Sequence, residues 1–208
     1  MTKYFLLLLL LNICKNVEVG EIIKLPEPKR EGGMPIYEAF SKRQSLRNFD
    51  GTASISFETL SQALWVSYGI REGVYRTVPS AKAWYPFTIY VFLQSGVYKY
   101  NPAGHMLIKI MDGDHRSKTG TQTTLVSKAA ANLLFIGDLN KETRLKKEYR
   151  RAACKADIGN VTMALSLFAA ANNMKGVIRG NIDVPSLLEF LNLNPDDYAL
   201  DLAFSLGY

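Results

Sequence analysis

Hydrophobic residues recur at every third or fourth position in several stretches of the chain, which is the spacing typical of amphipathic helices. In the stretch 56–68, Ser56 stands where a residue can cap a helix, and Gly69 stands where such a helix ends. A short helix is expected over 35–43. The composition of 141–174 predicts one long helix with a face of alanine, leucine and phenylalanine.

The middle of the chain changes to a pattern typical of strands. Residues 87–93 are β-branched and aromatic, and the turn at 94–96 leads into a second apolar run, so the pair predicts a hairpin. The segment 198–206 alternates in the manner of a strand. The other expected elements are strands at 97–100, 106–111, 132–136 and 177–178 and a helix at 183–191. Because helices and strands do not alternate strictly, we expect an α+β fold whose mixed or antiparallel central sheet is flanked by helices.

The composition fits a single globular domain with a large core. The 208 residues are 48% hydrophobic and 21% charged, which excludes a disordered chain. Lysine and arginine exceed the acidic residues by 25 to 19, and this mild, scattered excess suits a phosphate-bearing ligand without requiring nucleic acid. With 2 cysteines and 2 histidines, a disulfide framework and a zinc site are not expected, and we predict no metal.

The amino-terminal segment has the composition of an export signal. Lys3 precedes an apolar run of about ten residues, whereas a membrane span needs roughly 20. We therefore expect residues 1–20 to direct export, to the periplasm, with no transmembrane span. The residues before Cys14 also resemble a lipobox, which would attach a lipid; a buried amino-terminal strand in a cytoplasmic protein is the alternative. Residues 21–34 are expected to form an extended arm before one domain over 35–208.

Arg43, Ser45 and Arg47 form a candidate anion site. The two arginines are four residues apart, so in helical or near-helical geometry they face the same way. Two guanidinium groups and a hydroxyl can hold one phosphate through several charge-assisted hydrogen bonds. Taken alone, the same residues are also consistent with a solvated basic face.

Two further segments have the small residues that let a backbone approach a flat ligand closely. Pro79, Ser80 and Ala81 lie just before the strand 87–93. Gly180 follows the strand at 177–178, where a glycine can present its amide to a ligand. An ordinary loop and a tight turn explain these residues equally well when each segment is considered separately.

The ordered set of these motifs resembles the nitroreductase family of flavoproteins, in particular the branch that contains oxidases of cyclised peptides and exported bacterial relatives. The likeness begins with an Arg-x-Ser-x-Arg-x-Phe signature and continues with a Pro-Ser-Ala loop, a Gly-Val-Tyr-x-Tyr hairpin, an Ala-Asp-x-Gly helix start and a Leu-Gly-Tyr ending. In this chain these are Arg43–Phe49, Pro79–Ala81, Gly96–Tyr100, Ala156–Gly159 and Leu206–Tyr208.

The resemblance implies roles for the candidate residues toward the cofactor FMN. Arg43, Ser45 and Arg47 would bind the FMN phosphate and ribityl chain, with a contribution from Gln44. The Pro79–Ala81 loop would line the isoalloxazine ring from the partner subunit of an entwined homodimer.

At the ring itself, the resemblance implies that the backbone amide of Gly180 lies at flavin N5 or O4. Ile178 and Arg179 would be close by. The chemistry would take place on flavin N5, so no catalytic side chain is expected.

The function implied by the resemblance is that of an FMN-dependent oxidoreductase. It would transfer a hydride by a ping-pong mechanism from NAD(P)H or another reductant to a nitroaromatic, a quinone or a related small acceptor. The alternative is a flavin-binding or interaction module without turnover, because Lys82 stands where relatives often have a small residue.

Overall fold

A computed structural model describes residues 20–141 and 145–208 of the chain. The predicted export signal, including Cys14, falls almost entirely within residues 1–19, outside the described residues. The strands are β1 Ile22–Lys24, β2 Ile70–Glu72, β3 Tyr75–Arg76, β4 Phe87–Leu93, β5 Gly96–Asn101, β6 Met106–Asp112, β7 Ala131–Asp138, β8 Lys175–Arg179 and β9 Tyr198–Gly207. The α-helices are α1 Ile36–Lys42, α2 Phe57–Tyr68, α3 Thr123–Lys128, α4 Lys147–Ala171 and α5 Val184–Phe190, and short 3-10 turns occur at Ala81–Ala83 and Arg116–Thr119.

Seven of the strands form one sheet in the order β1-β6-β5-β4-β7-β9-β8. Every neighbouring pair in this sheet is antiparallel. The expected α+β class is therefore confirmed, with an antiparallel sheet. Strands β2 and β3 form a separate small hairpin that the sequence pattern did not predict, since neither strand is longer than three residues.

The sheet separates two apolar cores, and its central strand β4 contributes to both. Phe87, Ile89 and Val91 point into the core shared with α2 and α4, whereas Tyr90 and Phe92 point into the core shared with α5. A strand that is covered on both faces favours apolar side chains at successive positions. This explains why 87–93 is apolar at nearly every position, apart from Thr88, rather than alternating.

Strand β9 departs from the strict alternation expected from its sequence. Leu134 and Ile136 of β7 lie opposite Ala203 and Leu200, so two steps on β7 correspond to three on β9. The extra residue is a β-bulge, which shifts the alternation between its two ends. As a result Leu200 packs in the α5-side core, while Phe204 packs in the core of the other face.

Local capping sets the bounds of the predicted helices. The Ser56 hydroxyl accepts a hydrogen bond from the Thr59 amide at 3.2 Å and begins α2 as expected. The long helix α4 is shorter at both ends than the expected 141–174.

The cysteine of α4, Cys154, is fully buried. Burial raises the pKa of its thiol to about 12, so the thiol stays protonated at neutral pH.

The proline-rich segment that follows Gly20 is extended, but its first residues belong to the main sheet as strand β1. Farther along, Gln62 of α2 holds the segment through two bonds: it accepts from the Lys29 amide at 2.8 Å and donates to the Lys29 carbonyl at 3.0 Å. Of the helices described, none combines the length and the apolar character needed to cross a membrane.

Candidate functional site

Residues 43–49, called the basic segment below, lie against the edge strand β8. The Leu46 amide donates to the Gly176 carbonyl at 3.1 Å, and the Lys175 ammonium donates to the Asn48 carbonyl at 2.7 Å. Just beyond the segment, the Asp50 amide donates to the carbonyl of Tyr208 at 2.6 Å. These three bonds fix the path of the segment, so its side chains are displayed at a defined place on the edge of the sheet.

The basic segment is not helical, which corrects the helical geometry assumed from the sequence. Helix α1 ends at Lys42, and Arg43 has φ −58° and ψ 119°, outside the helical region. Helical spacing therefore does not decide how Arg43 and Arg47 are oriented. What the two arginines share is a segment that is hydrogen-bonded to β8.

The polar groups of the basic segment remain available to a ligand. Gln44, Ser45 and Arg47 are exposed and Arg43 is half-buried. Arg47 donates only to the Ser45 carbonyl, at 3.2 Å, and no described acidic side chain forms an ion pair with either arginine. Two uncompensated guanidinium groups beside a hydroxyl are suited to a phosphate.

The end of β8 lies at the same edge of the sheet and presents an open backbone. The Ile178 side chain is 40% exposed, and Gly180 is exposed with no heavy atom within 4 Å of where a Cβ would stand. A planar group can therefore approach the Gly180 backbone without obstruction. The structure thus puts the basic segment and the residues Ile178 and Gly180 at the same edge of the sheet, on and beside β8.

Arg179, predicted to lie close to the flavin ring, turns its side chain away from the sheet edge. The side chain is only 5% exposed and points into the protein. Its Nε donates to the Ser205 hydroxyl at 2.8 Å and its Nη1 to the Thr119 carbonyl at 2.9 Å, with Asn132 Oδ1 at 3.4 Å from Nη2. Burial lowers the pKa of Arg179 to about 10. Only the backbone of Arg179 is left to face a ligand at the sheet edge.

The Pro79–Ala81 loop is held by an aspartate of α4 that the sequence analysis did not single out as a site residue. Asp157 is 4% exposed and accepts from the Ser80 hydroxyl at 2.5 Å and from the Ala81 amide at 3.2 Å. The Ser80 hydroxyl in turn accepts from the Tyr85 amide at 2.8 Å. Asp157 belongs to the Ala-Asp-x-Gly motif found in the sequence. Its spacing does not indicate that the carboxylate contacts Ala81, which lies 76 residues earlier in the chain.

The chain after this loop is strained at several positions. Lys82, Ala83 and Tyr85 have φ values of 54°, 51° and 49°, which is the left-handed region that non-glycine residues rarely adopt. Each such residue costs about 1–2 kcal/mol. The loop keeps this shape because the Asp157 carboxylate and the Ser80 hydroxyl hold the residues on either side of Lys82.

Replacing Lys82 with glycine is expected to raise the free energy of unfolding by about 0.5–1 kcal/mol. The strain energy removed from the folded state exceeds the free-energy cost of the glycine's extra conformational entropy in the unfolded chain. Lys82→Ala is the matched control: it removes the same exposed charge but keeps the Cβ, so it gives no such gain. Chemical denaturation of the two variants measures the difference. Equal free energies of unfolding would contradict the strain assignment.

The loop and the basic segment lie at different points along α4. The loop is anchored at Asp157, whereas β8 crosses the helix at Ala169, whose Cβ is 2.9 Å from where a Cβ on Gly176 would stand. Twelve residues of helix separate these points, or roughly 18 Å at 1.5 Å per residue. Among the described residues no hydrogen bond joins the loop to the basic segment. Within a single chain the loop and the basic segment are therefore separate.

A cavity of 590 Å³ opens beside the basic segment. Arg47 and Lys128 supply its positive charges, and Thr121, Thr123 and Thr124 supply hydroxyl groups. The Thr121 amide donates to the Asn181 carbonyl at 3.1 Å, so this polar wall adjoins the open backbone at Gly180. Within residues 20–141 and 145–208, no group of three or more His, Cys, Asp or Glu side chains is placed to hold a metal ion.

The fold is an antiparallel sheet flanked by helices, and the basic segment on its edge strand is chemically suited to a phosphate-bearing ligand. The family profile of the nitroreductases, described as "Nitroreductase family", matches residues 40–208. The chain belongs to the nitroreductase family, and is in general terms a flavin oxidoreductase. The resemblance seen in the sequence motifs is confirmed.

Individual relatives extend this result. A nitroreductase-like protein of Methanocaldococcus jannaschii is 25% identical over 185 residues, which are 84% of this chain and 92% of that protein. The crystal structure of a nitroreductase-like protein of Ralstonia eutropha is 30% identical, covers 91% of this chain and 90% of its own, and superposes with a TM-score of 0.83.

The cofactor expected from the resemblance occurs among structures with the same fold. A nitroreductase-like protein of Desulfovibrio desulfuricans was crystallised in complex with FMN; it is 18% identical, covers 85% of this chain and 87% of its own, and has a TM-score of 0.62. At this identity the likeness shows the shared fold. It supports FMN as the cofactor of the family to which the chain belongs.

Proposed function

We propose that this protein is an FMN-dependent oxidoreductase that passes a hydride from NAD(P)H, or from another reductant, to a nitroaromatic, a quinone or a related small acceptor. The observation that carries the proposal is the basic segment with Arg43, Ser45 and Arg47, which is hydrogen-bonded to Lys175 and Gly176 of β8, the strand that leads to the open backbone of Gly180. Family membership supports the flavin chemistry in general.

The donor set of the basic segment fits the FMN tail. Arg43, Arg47 and the Ser45 hydroxyl can donate to the phosphate and the ribityl chain, and Gln44 can contribute from the same segment. The guanidinium groups have no acidic partner among the described residues, so a phosphate would supply the charge they lack. Charge-assisted contacts of this kind contribute on the order of 1.5–3 kcal/mol each.

The backbone around Gly180 fits the flat end of the same molecule. The open side of Gly180 lets a ring approach to hydrogen-bonding distance of its amide, and the exposed Ile178 offers an apolar contact. An amide fixed at this place can donate to the ring edge and orient it in both redox states. Arg179 takes part through its backbone only.

We infer that the working form is a homodimer. The Pro79–Ala81 loop is roughly 18 Å along α4 from the crossing of β8, so the loop that lines a given ring would come from a second copy. Helix α1 also exposes Ile36, Tyr37 and Phe40, and Tyr37 is 85% exposed. Three large apolar side chains on one short helix suit burial against a partner.

The chain's own residues then bind and orient the flavin, and they exclude water from the ring. When bound, FMN supplies the two-electron chemistry by accepting and returning a hydride at N5. Both substrates would use the same slot in turn, which gives ping-pong kinetics. No protein nucleophile is required, and the buried Cys154 is unsuited to that role because its thiol stays protonated.

The setting we propose is outside the cytoplasm, because Lys3 and the apolar run that follows have the form of a secretory signal. NAD(P)H is scarce there, so the donor could be a different reductant.

The test is a visible spectrum of the purified full chain, followed by anaerobic titration. We expect flavin absorption, bleaching by NAD(P)H or a quinol, recovery of the spectrum on adding a quinone or a nitroaromatic, and sedimentation as a dimer. Dithionite serves as the control, since it reduces accessible flavin without an enzyme site.

A purified protein that is colourless and monomeric and does not bind added FMN would refute the proposal. A flavin that only dithionite bleaches would instead support the alternative, a flavin-binding module without turnover.

A further inference from the structure

Arg179 is a buried cation with no acidic partner among the described residues. Its four described acceptors are all neutral: the Ser205 hydroxyl, the Thr119 carbonyl and hydroxyl, and the Asn132 side-chain oxygen. Arg116 is comparably buried, but its guanidinium is 2.7 Å from the carboxylate of Asp114. Burying a charge without a counter-charge costs several kcal/mol. The hydrogen bonds alone do not explain why an arginine occupies this position.

The guanidinium of Arg179 lies against the loop at Thr119 and Gly120, which is hydrogen-bonded to Asn181, the residue after Gly180. Its Nη1 is 2.3 Å from where a Cβ on Gly120 would stand, so only glycine allows the loop to lie this close. The next residue of that loop, Thr121, donates its amide to the Asn181 carbonyl at 3.1 Å. The charge is thus enclosed between β8, β9 and the loop that borders Gly180.

We propose that Arg179 raises the reduction potential of the flavin by supplying this uncompensated positive charge near Gly180. The proposal rests on the proposed function, in which the ring lies against the Gly180 backbone. The reduced ring tends toward an anion at N1–C2=O, and the oxidised ring is neutral. A fixed cation in a poorly solvated site therefore stabilises the reduced state selectively. Arg179 is a positioning residue, since it acts without touching the ring.

A merely structural role makes different predictions. In that case the guanidinium only connects Thr119 to β9 through hydrogen bonds. Loss of any one of these bonds would destabilise the loop, and oxidised and reduced FMN would be affected equally. Two kinds of variant separate the roles. Arg179→Gln removes the charge and part of the hydrogen bonding. Asn132→Asp keeps the guanidinium and places a compensating carboxylate beside it.

The measurement is the midpoint potential of the FMN-loaded full chain, together with the dissociation constant of oxidised FMN. We expect Arg179→Gln and Asn132→Asp each to weaken binding of reduced FMN about tenfold relative to oxidised FMN, which lowers the two-electron potential by about 30 mV. Arg179→Lys and Ser205→Ala keep the charge while altering the hydrogen bonds, so their potentials stay near that of the wild type.

An unchanged potential in both charge variants overturns the proposal while leaving the proposed function intact. A fall in Ser205→Ala as large as that in Arg179→Gln also overturns it, because packing would then be the cause. If the wild-type chain binds no FMN, the proposed function and this inference fail together. Should Arg179→Gln not fold, the Asn132→Asp result decides.

Discussion

Changing Arg43 and Arg47 together to alanine is expected to strip FMN from the protein. Each arginine faces solvent without an acidic partner among the described residues, so the phosphate is its natural counter-charge. Two lost charge-assisted contacts at about 1.5–3 kcal/mol each weaken binding by about a hundredfold to ten-thousandfold. Fluorescence titration of the apoprotein with FMN measures the affinity directly.

The control for this experiment is the double variant Lys24→Ala and Arg71→Ala. Both of these residues are exposed and lie on β1 and β2, away from the basic segment, and their loss changes the net charge equally. Its FMN affinity should match that of the wild type. The phosphate assignment fails if the two double variants bind FMN alike.

Replacing Asp157 with alanine is expected to destabilise the protein by about 2–4 kcal/mol and to release the Pro79–Ala81 loop. The substitution leaves the Ser80 hydroxyl and the Ala81 amide without their buried acceptor. The strained residues after the loop then lose the contact that maintains their left-handed backbone. Urea denaturation gives the stability change, and proteolysis near Lys82 reports the loop.

Asp157→Asn is the matched variant, because it keeps the size and one acceptor oxygen. Burial raises the pKa of Asp157 above its usual 3.8, against the opposing effect of its bonds from Ser80 and Ala81. A raised folded-state pKa adds stability at low pH that is lost as pH rises through that pKa. The wild type should therefore gain stability relative to Asp157→Asn as pH falls toward 3.8. A pH-independent difference would show that the carboxyl is not perturbed.

Much of the framework could be predicted from the sequence because local chemistry decides it. The Ser56 cap, the two-sided apolar run of β4 and the turn before β5 each depend on residues close in the chain. The β9 bulge escaped prediction, since an extra residue becomes visible only when Ala203 and Leu200 are paired with β7.

The site shows the same division between local and distant determinants. Arg43, Ser45 and Arg47 were picked out by their spacing, although the segment is not helical beyond Lys42. The role of Asp157 depends on a contact between distant parts of the chain. The inward direction of the Arg179 side chain depends on acceptors from three other segments, which no nearby sequence feature reveals.

Asp157, which anchors the loop, and Ala169, where β8 crosses, lie at different points along helix α4. In the proposed homodimer each chain would therefore contribute its basic segment to one pocket and its loop to the other. A substitution in the basic segment and a substitution at the loop anchor therefore impair different chains' contributions to a pocket. In a heterodimer of the two variants, one pocket would combine the wild-type segment of one chain with the wild-type loop of the other. That pocket, one of the two, would bind flavin normally.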